Sequence, residues 1–181
     1  MDTIVVNDTN VFIDLCSIDL LDEFFRLSQK IHTTDFVIDE LKVEEQRIEV
    51  EKFHQAGLLT IKVYSAKELL EIIEFQQNQD TNVSVPDCSV WLYAQKNQYR
   101  LLTGDNKLRK TAIKAGTNVS GILYVFDQLV EQNIITPQVA CEKLNILRSI
   151  NHRLPDKDIT ERLKRWTNIV PSLTISKPWQ Y

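Results

Sequence analysis

The chain has 181 residues, 43% apolar and 25% charged, with 21 lysines and arginines against 25 aspartates and glutamates and a formal charge of −4. That length and apolar content suit one domain with a sizeable core, and the mildly acidic balance excludes a molecule whose overall field attracts nucleic acid, so any basic surface must be local. The start, MDTIVVNDTN, lacks the cationic and apolar regions of a signal peptide, and no apolar run reaches the ~18 residues that span a bilayer, so a cytoplasmic protein without membrane contact is expected.

TIVVN (3–7) is a short β-branched run suited to a strand buried on both faces. SIDLLDEFFRL (17–27) places Leu20, Leu21, Phe24 and Leu27 on one helical stripe. IHTT (31–34) reads as a strand, followed by a helix from about Asp35 with Val37, Ile38 and Leu41 at helical spacing. LLTIKVY (58–64) is a third strand after Gly57. Ser65 and Glu68 form a capping box that opens a helix through Leu69, Leu70, Ile72, Ile73 and Phe75. Ser84 caps a helix that admits Pro86 in its first turn and carries Val90, Trp91 and Ala94. Then come the strand YRLLT, a helix over 106–115 closed by Gly116, the strand ILYVF, a helix opened by Asp127 and another opened by Thr136-Pro137. This alternation predicts an α/β fold: a mainly parallel central sheet flanked by helices, with a C-terminal helical extension. The expected division is a domain over residues 1–135 and an extension with a tail, 136–181, packed on the same domain.

In open parallel sheets, ligands bind beyond the carboxyl ends of the strands. Four acids fall there: Asp8 directly after the first strand, Asp105 two residues after RLLT, and Glu40 and Asp87 in the first turns of helices beginning near the same edge. Taken singly, Asp87 is also the acidic partner of Ser84 in a helix cap, and Asp105 an N-cap for NKLRKTAIKAG. Taken together, carboxylates ~4 Å apart repel by ~4 kcal/mol per pair at an effective dielectric near 20, so a cluster must bind protons or a cation. Oxygen donors alone favour Mg²⁺ or Mn²⁺. Zinc has little support: Cys16, Cys88 and Cys141 are widely spaced without C-x-x-C pairing, and His32, His54 and His152 show no H-E-x-x-H spacing.

Four segments, VVNDTNVFIDL, VIDEL, VPDCSVWLYA and LLTGDNKLRKTA, occur in an order that resembles the PIN (PilT N-terminal) domain family of metal-dependent nucleases, including the VapC-like toxins of bacterial toxin–antitoxin modules. The likeness extends from about residue 3 to 126. It implies a Rossmann-like PIN fold whose acidic pocket is Asp8, Glu40, Asp87 and Asp105, with Asn10 and Thr103 as supporting polar side chains. It also implies endoribonuclease activity and a cognate antitoxin as partner. The family pattern Val-x-x-Glu-Leu selects Glu40 over its neighbour Asp39; residues adjacent on a helix point about 100° apart, so only one faces the pocket. Residues 137–181 depart from the compact toxins.

The expected chemistry is hydrolysis of RNA phosphodiesters with one or two divalent ions, Asp8 and Asp105 as principal ligands, Asp87 completing the site and Glu40 coordinating or orienting water. Lys107, Arg109 and Lys110, with Lys114 a turn later, supply local cations for the RNA backbone, Arg109 foremost. Single-stranded RNA is the expected substrate, because a sheet-edge pocket admits a splayed strand. Trp91 and Tyr99 are expected in the core. The amphipathic, basic TERLKRW (160–166) fits packing on the domain, an RNA or antitoxin contact, or a homodimer seam, and Trp166, Trp179 and Tyr181 invite a partner. Two rivals stand beside the nuclease: a non-catalytic RNA- or protein-binding module of the same fold, and a Mg²⁺-dependent phosphoacceptor or phosphatase domain. The second needs an aspartate nucleophile, and the chain lacks an Asp-x-Asp after its first strand.

Overall fold

The computed structural model describes residues 4–79 and 82–169. They divide into two compact units between Ile134 and Ile135. The first holds five short strands, β1 (Ile4–Asn7), β2 (Lys30–Thr34), β3 (Leu59–Lys62), β4 (Arg100–Leu102) and β5 (Val119–Ser120). It also holds eight helices: α1 (Thr9–Ser17), α2 (Leu21–Phe24), α3 (Asp35–Glu40), α4 (Glu44–Gln55), α5 (Ala66–Gln77), α6 (Val85–Asn97), α7 (Asn106–Lys114) and α8 (Ile122–Glu131). The second holds α9 (Pro137–Ile150) and α10 (Asp156–Ile169).

The strands pair in the order β3-β2-β1-β4-β5, every pair parallel. All carboxyl ends therefore lie along one edge, which is what places the acids together. Val6 aligns with His32 and with Leu101, so one face of the sheet carries these three; His32 meets Tyr93 of α6 through Nδ1 and the phenol oxygen, 2.8 Å apart, and α6 thus covers that face. Val5 aligns with Arg100 on the other face, where the Arg100 guanidinium lies 4.5 Å from the ring centre of Tyr124 in α8. Helices on both faces explain why consecutive Val5 and Val6 are both buried. Around α1, α2 and α4 the rings of Phe12, Phe24, Phe25 and Phe53 form a chain, with Phe25 and Phe53 stacked 4.0 Å apart.

Both capping boxes expected or implied by sequence are present: Ser65 with Glu68 at α5, and Ser84 with Asp87 at α6. Gly116 ends α7 at φ +81°, where a Cβ would be strained. Trp91 is fully buried and donates its indole N–H to Thr117 Oγ1 at 2.9 Å. Tyr99 is partly buried among His32 and Tyr93.

Three elements differ from expectation. The first helix begins at Thr9, and the stretch 17–27 forms only the single turn α2, although Leu20, Leu21, Phe24 and Leu27 are buried as the stripe requires. ILYVF is the first half of α8, not a strand, and Asp127 lies inside that helix; the strand is the shorter Val119–Ser120 just before it. A five-residue apolar run fits a buried strand and a buried helix face equally, and here Ile122, Leu123, Val125, Phe126 and Leu129 recur with helical spacing toward the core. The third, α4, is so polar that Val50 is its one fully buried residue.

In the second unit, α9 buries Ala140, Leu144 and Leu147, and α10 buries Ile159 and Trp166. Thr136 caps α9 as expected, through Val139 N. TERLKRW lies in α10; Trp179 and Tyr181 fall outside the described residues. Among the described residues no helix is long and apolar enough to cross a membrane.

Candidate active site

The carboxyl edge of the sheet carries the four acids that sequence singled out, each serving first as a local structural device. Asp8 directly follows β1 and caps α1, its Oδ1 accepting Thr9 N–H at 2.7 Å. Asp87 is the third residue of α6, with Oδ2 accepting Ser84 Oγ–H at 2.7 Å and Ser84 N–H at 3.3 Å. Asp105 caps α7, with Oδ1 accepting Lys107 N–H and Leu108 N–H at 2.8 and 2.7 Å. Glu40, expected in a first helical turn, is instead the last residue of the six-residue α3, and its Oε2 accepts Thr9 Oγ1–H at 2.7 Å.

Hydroxyls tie these devices together. Thr103 Oγ1 donates to Asp8 Oδ2 at 2.8 Å and accepts Asp105 N–H at 3.0 Å, so one side chain joins the ends of β1 and β4. Asn10 Nδ2 donates to the same Asp8 oxygen at 3.4 Å. Asn10 comes this close because Gly104 has no side chain; a Cβ there would lie 3.2 Å from Asn10 Cβ. Thr9, which sequence reasoning passed over, joins Asp8 through its N–H and Glu40 through its hydroxyl. Its position beside Asp8 was the available signal.

The electrostatics match a cluster of like charges. Asp8 is 1% exposed, and burial, reinforced by the charge of Asp87, pushes its carboxyl up to about 7 despite the bonds from Thr103, Thr9 and Asn10. Burial also raises Asp87; the bonds from Ser84 oppose it, the charge of Asp105 adds to it, and Lys107 opposes it. Asp8, Asp87 and Asp105 therefore act on one another in sequence. Among the described residues no three acidic, histidine or cysteine side chains already meet as a metal-binding group.

The donor set nevertheless fits a hard divalent cation. Asp87, Asp105 and Glu40 each commit one carboxylate oxygen to the fold, and Asp87 Oδ1, Asp105 Oδ2 and Glu40 Oε1 accept no hydrogen bond among the described residues. Each therefore keeps an oxygen for a ligand, and oxygen-only donors suit Mg²⁺ or Mn²⁺. Of the expected RNA contacts, Lys107 Nζ donates to the Asn82 carbonyl, Lys110 is exposed and Arg109 is partly buried.

The family profile described as PIN domain matches residues 4–168. The chain belongs to the PIN domain family. Solved structures similar to this PIN domain include a PilT N-terminus domain protein from the hyperthermophilic archaeon Sulfolobus solfataricus, 13% identical over 71% of this chain and 95% of that one, with a TM-score of 0.44. A domain of a functionally unknown protein from Methanocaldococcus jannaschii is 18% identical over 66% and 90%, with a TM-score of 0.44. FitAcB from Neisseria gonorrhoeae is 11% identical over 66% and 99%, with a TM-score of 0.40. No curated protein gave a significant match. Family membership thus rests on the profile match, which takes in all four acids and both polar side chains that support them.

Proposed function

We propose that this PIN domain is a divalent-metal-dependent endoribonuclease that hydrolyses phosphodiester bonds of single-stranded RNA, and that it is the toxin of a bacterial toxin–antitoxin pair. The observation that carries the nuclease reading is the linked set of Asp8, Asp87 and Asp105 at one sheet edge, with a free oxygen on Asp87, Asp105 and Glu40.

Asp8 and Asp105 are the principal ligands in this reading, Asp87 completes the set, and a bound Mg²⁺ or Mn²⁺ supplies Lewis acidity and neutralises charge that builds on the phosphoryl oxygens. Thr103 and Asn10 hold the Asp8 carboxylate in place. Thr9 fixes one oxygen of Glu40, leaving the other to orient the attacking water. Arg109 and Lys110 receive the RNA backbone, and Lys107 serves both the Asn82 carbonyl and the field around Asp87. Membership of a family of metal-dependent nucleases supports the same reading, and the VapC-like resemblance is the ground for the antitoxin partner.

The test is cleavage of single-stranded RNA by wild type and Asp8→Asn, with Mn²⁺ and with EDTA. Wild type with Mn²⁺ should cleave; the variant and the chelated protein should fall by at least about 10²-fold, on the order of 3 kcal/mol of transition-state stabilisation. A wild type that binds Mn²⁺ yet leaves diverse RNAs intact would replace the nuclease by a binding module. The toxin reading predicts growth arrest on expression of wild type, relieved by Asp8→Asn.

A further inference from the structure

Thr34 is the last residue of β2 and stands at the N-cap of α3, with the extended backbone that position requires. A threonine there ordinarily turns its hydroxyl onto an N–H of the helix's own first turn. Thr34 makes no such bond. Its Oγ1 lies instead 2.9 Å from Ser89 Oγ of α6, and both side chains are fully buried. Proton count gives the direction: Ser89 spends its one hydroxyl proton on the Pro86 carbonyl at 2.6 Å, so Thr34 donates and Ser89 relays the bond to the first turn of α6. Tyr64, two residues beyond β3, adds a second hold, its phenol donating to the Ser89 carbonyl at 2.8 Å and its N–H to Asp35 Oδ2 at 3.3 Å. The cap that α3 forgoes has become a tie between two helices that pack on each other. One ends in Glu40, and the other carries Asp87 two residues before Ser89. Ser84 fixes the Asp87 carboxylate only relative to α6 itself; Thr34, Ser89 and Tyr64 fix that turn of α6 relative to β2, α3 and the segment after β3. For stability alone, two apolar side chains of the same shape serve nearly as well as a buried hydroxyl pair. What they lack is a bond of fixed length and direction.

We infer that Thr34 and Ser89 are positioning residues: their buried hydroxyl bond sets the first turn of α6, and with it Asp87, against the helix that ends in Glu40, so that the two acids share one divalent ion. The inference rests on the proposed metal-dependent ribonuclease reading and adds to it the residues that hold these acids in register. Both side chains are fully buried, so neither reaches the RNA, and their effect passes through the acids.

A double-mutant cycle on metal affinity decides it. Mn²⁺ binding is measured by calorimetry, and Tm by scanning calorimetry in EDTA, for wild type, Thr34→Val, Ser89→Ala, the double variant and Thr34→Ser. Each of the first three variants should weaken Mn²⁺ binding by about 10- to 100-fold, with the double variant no weaker than the worse single one. Thr34→Ser keeps the hydroxyl and should stay within about twofold of wild type. The double variant removes both polar groups together, so its Tm should lie near that of wild type while its Mn²⁺ affinity stays low. In cleavage of single-stranded RNA the loss should fall on kcat with KM unchanged. Wild-type Mn²⁺ affinity in Thr34→Val, losses that multiply in the double variant, or a Thr34→Ser protein as weak as Thr34→Val overturns the inference. So does a double variant that regains Mn²⁺ affinity, because the pair would then serve only to satisfy itself. If Thr34→Val does not fold, Tyr64→Phe takes its place: a several-fold loss of Mn²⁺ affinity supports the tie, and wild-type affinity overturns it. A wild type that cleaves RNA with Mn²⁺ while Thr34→Val binds and cleaves normally sinks this inference alone; a wild type that neither binds Mn²⁺ nor cleaves RNA sinks the function reading with it.

Discussion

Asp8 carries the clearest conflict between burial and charge. Its folded-state carboxyl is raised from 3.8 to about 7, so below about pH 4 it is protonated in folded and unfolded chains alike and this contribution to stability is complete. As pH rises the unfolded chain ionises first, and stability is lost progressively until the folded group has also ionised, above about 7. Thermal unfolding of EDTA-treated protein between pH 4 and 8 should therefore show Asp8→Asn gaining on wild type up to about pH 7 and running parallel beyond; parallel curves throughout would contradict the burial of a titrating Asp8. Thr9 is a second residue to test. Thr9→Val keeps the shape and removes the hydroxyl on Glu40 Oε2, and the loss of such a supporting bond should lower Mn²⁺-dependent cleavage by about 10- to 100-fold while Tm changes little. Asp8, Asp87 and Asp105 were legible in sequence because each follows a strand or opens a helix; Glu40, which closes α3, was selected by the family pattern Val-x-x-Glu-Leu. Thr9 was not: a threonine in a first helical turn looks the same whether its hydroxyl meets solvent or a carboxylate brought from 31 residues away.

Among the elements, α8 shows where periodicity fails to discriminate. Gln128→Pro separates the two assignments: at the first turn of a helix opened by Asp127 it would be tolerated, whereas inside α8 it removes a backbone donor and strains the preceding turn, for about 3 kcal/mol or more in urea unfolding. Capping tells a different story. Ser65 and Ser84 were readable as helix starts because a cap is a contact between residues three apart, and sequence holds both partners. The start of α1 was missed because Asp8 was assigned to the strand end, although the same carboxylate caps the helix that follows. Polar α4 offered no apolar stripe to read; it is held by Val50 and by Phe53 stacking on Phe25.

For the molecule as a whole, a cation that binds the folded chain and not the unfolded one stabilises by mass action, about 2.7 kcal/mol at a hundredfold excess over Kd. Mn²⁺ should thus raise the Tm of wild type, EDTA should reverse the rise, and Asp8→Asn should show little of it in differential scanning calorimetry. An equal rise in both proteins would place the ion elsewhere. The net charge of −4 does not hinder an RNA substrate if the binding surface is local, and α7 concentrates Lys107, Arg109, Lys110 and Lys114 within about three turns of Asp105.

By itself the sequence determined the α/β class and most strand and helix positions, and it singled out Asp8, Asp87 and Asp105 as candidates, because those follow from short-range patterns of apolarity, capping and strand-end position. Only the tertiary structure decided the strand order β3-β2-β1-β4-β5, that Thr103 bridges Asp8 and Asp105, and that Thr9 reaches Glu40. Each of those depends on residues far apart in the chain meeting at one sheet edge, and distance in space is set by packing, which no local pattern encodes.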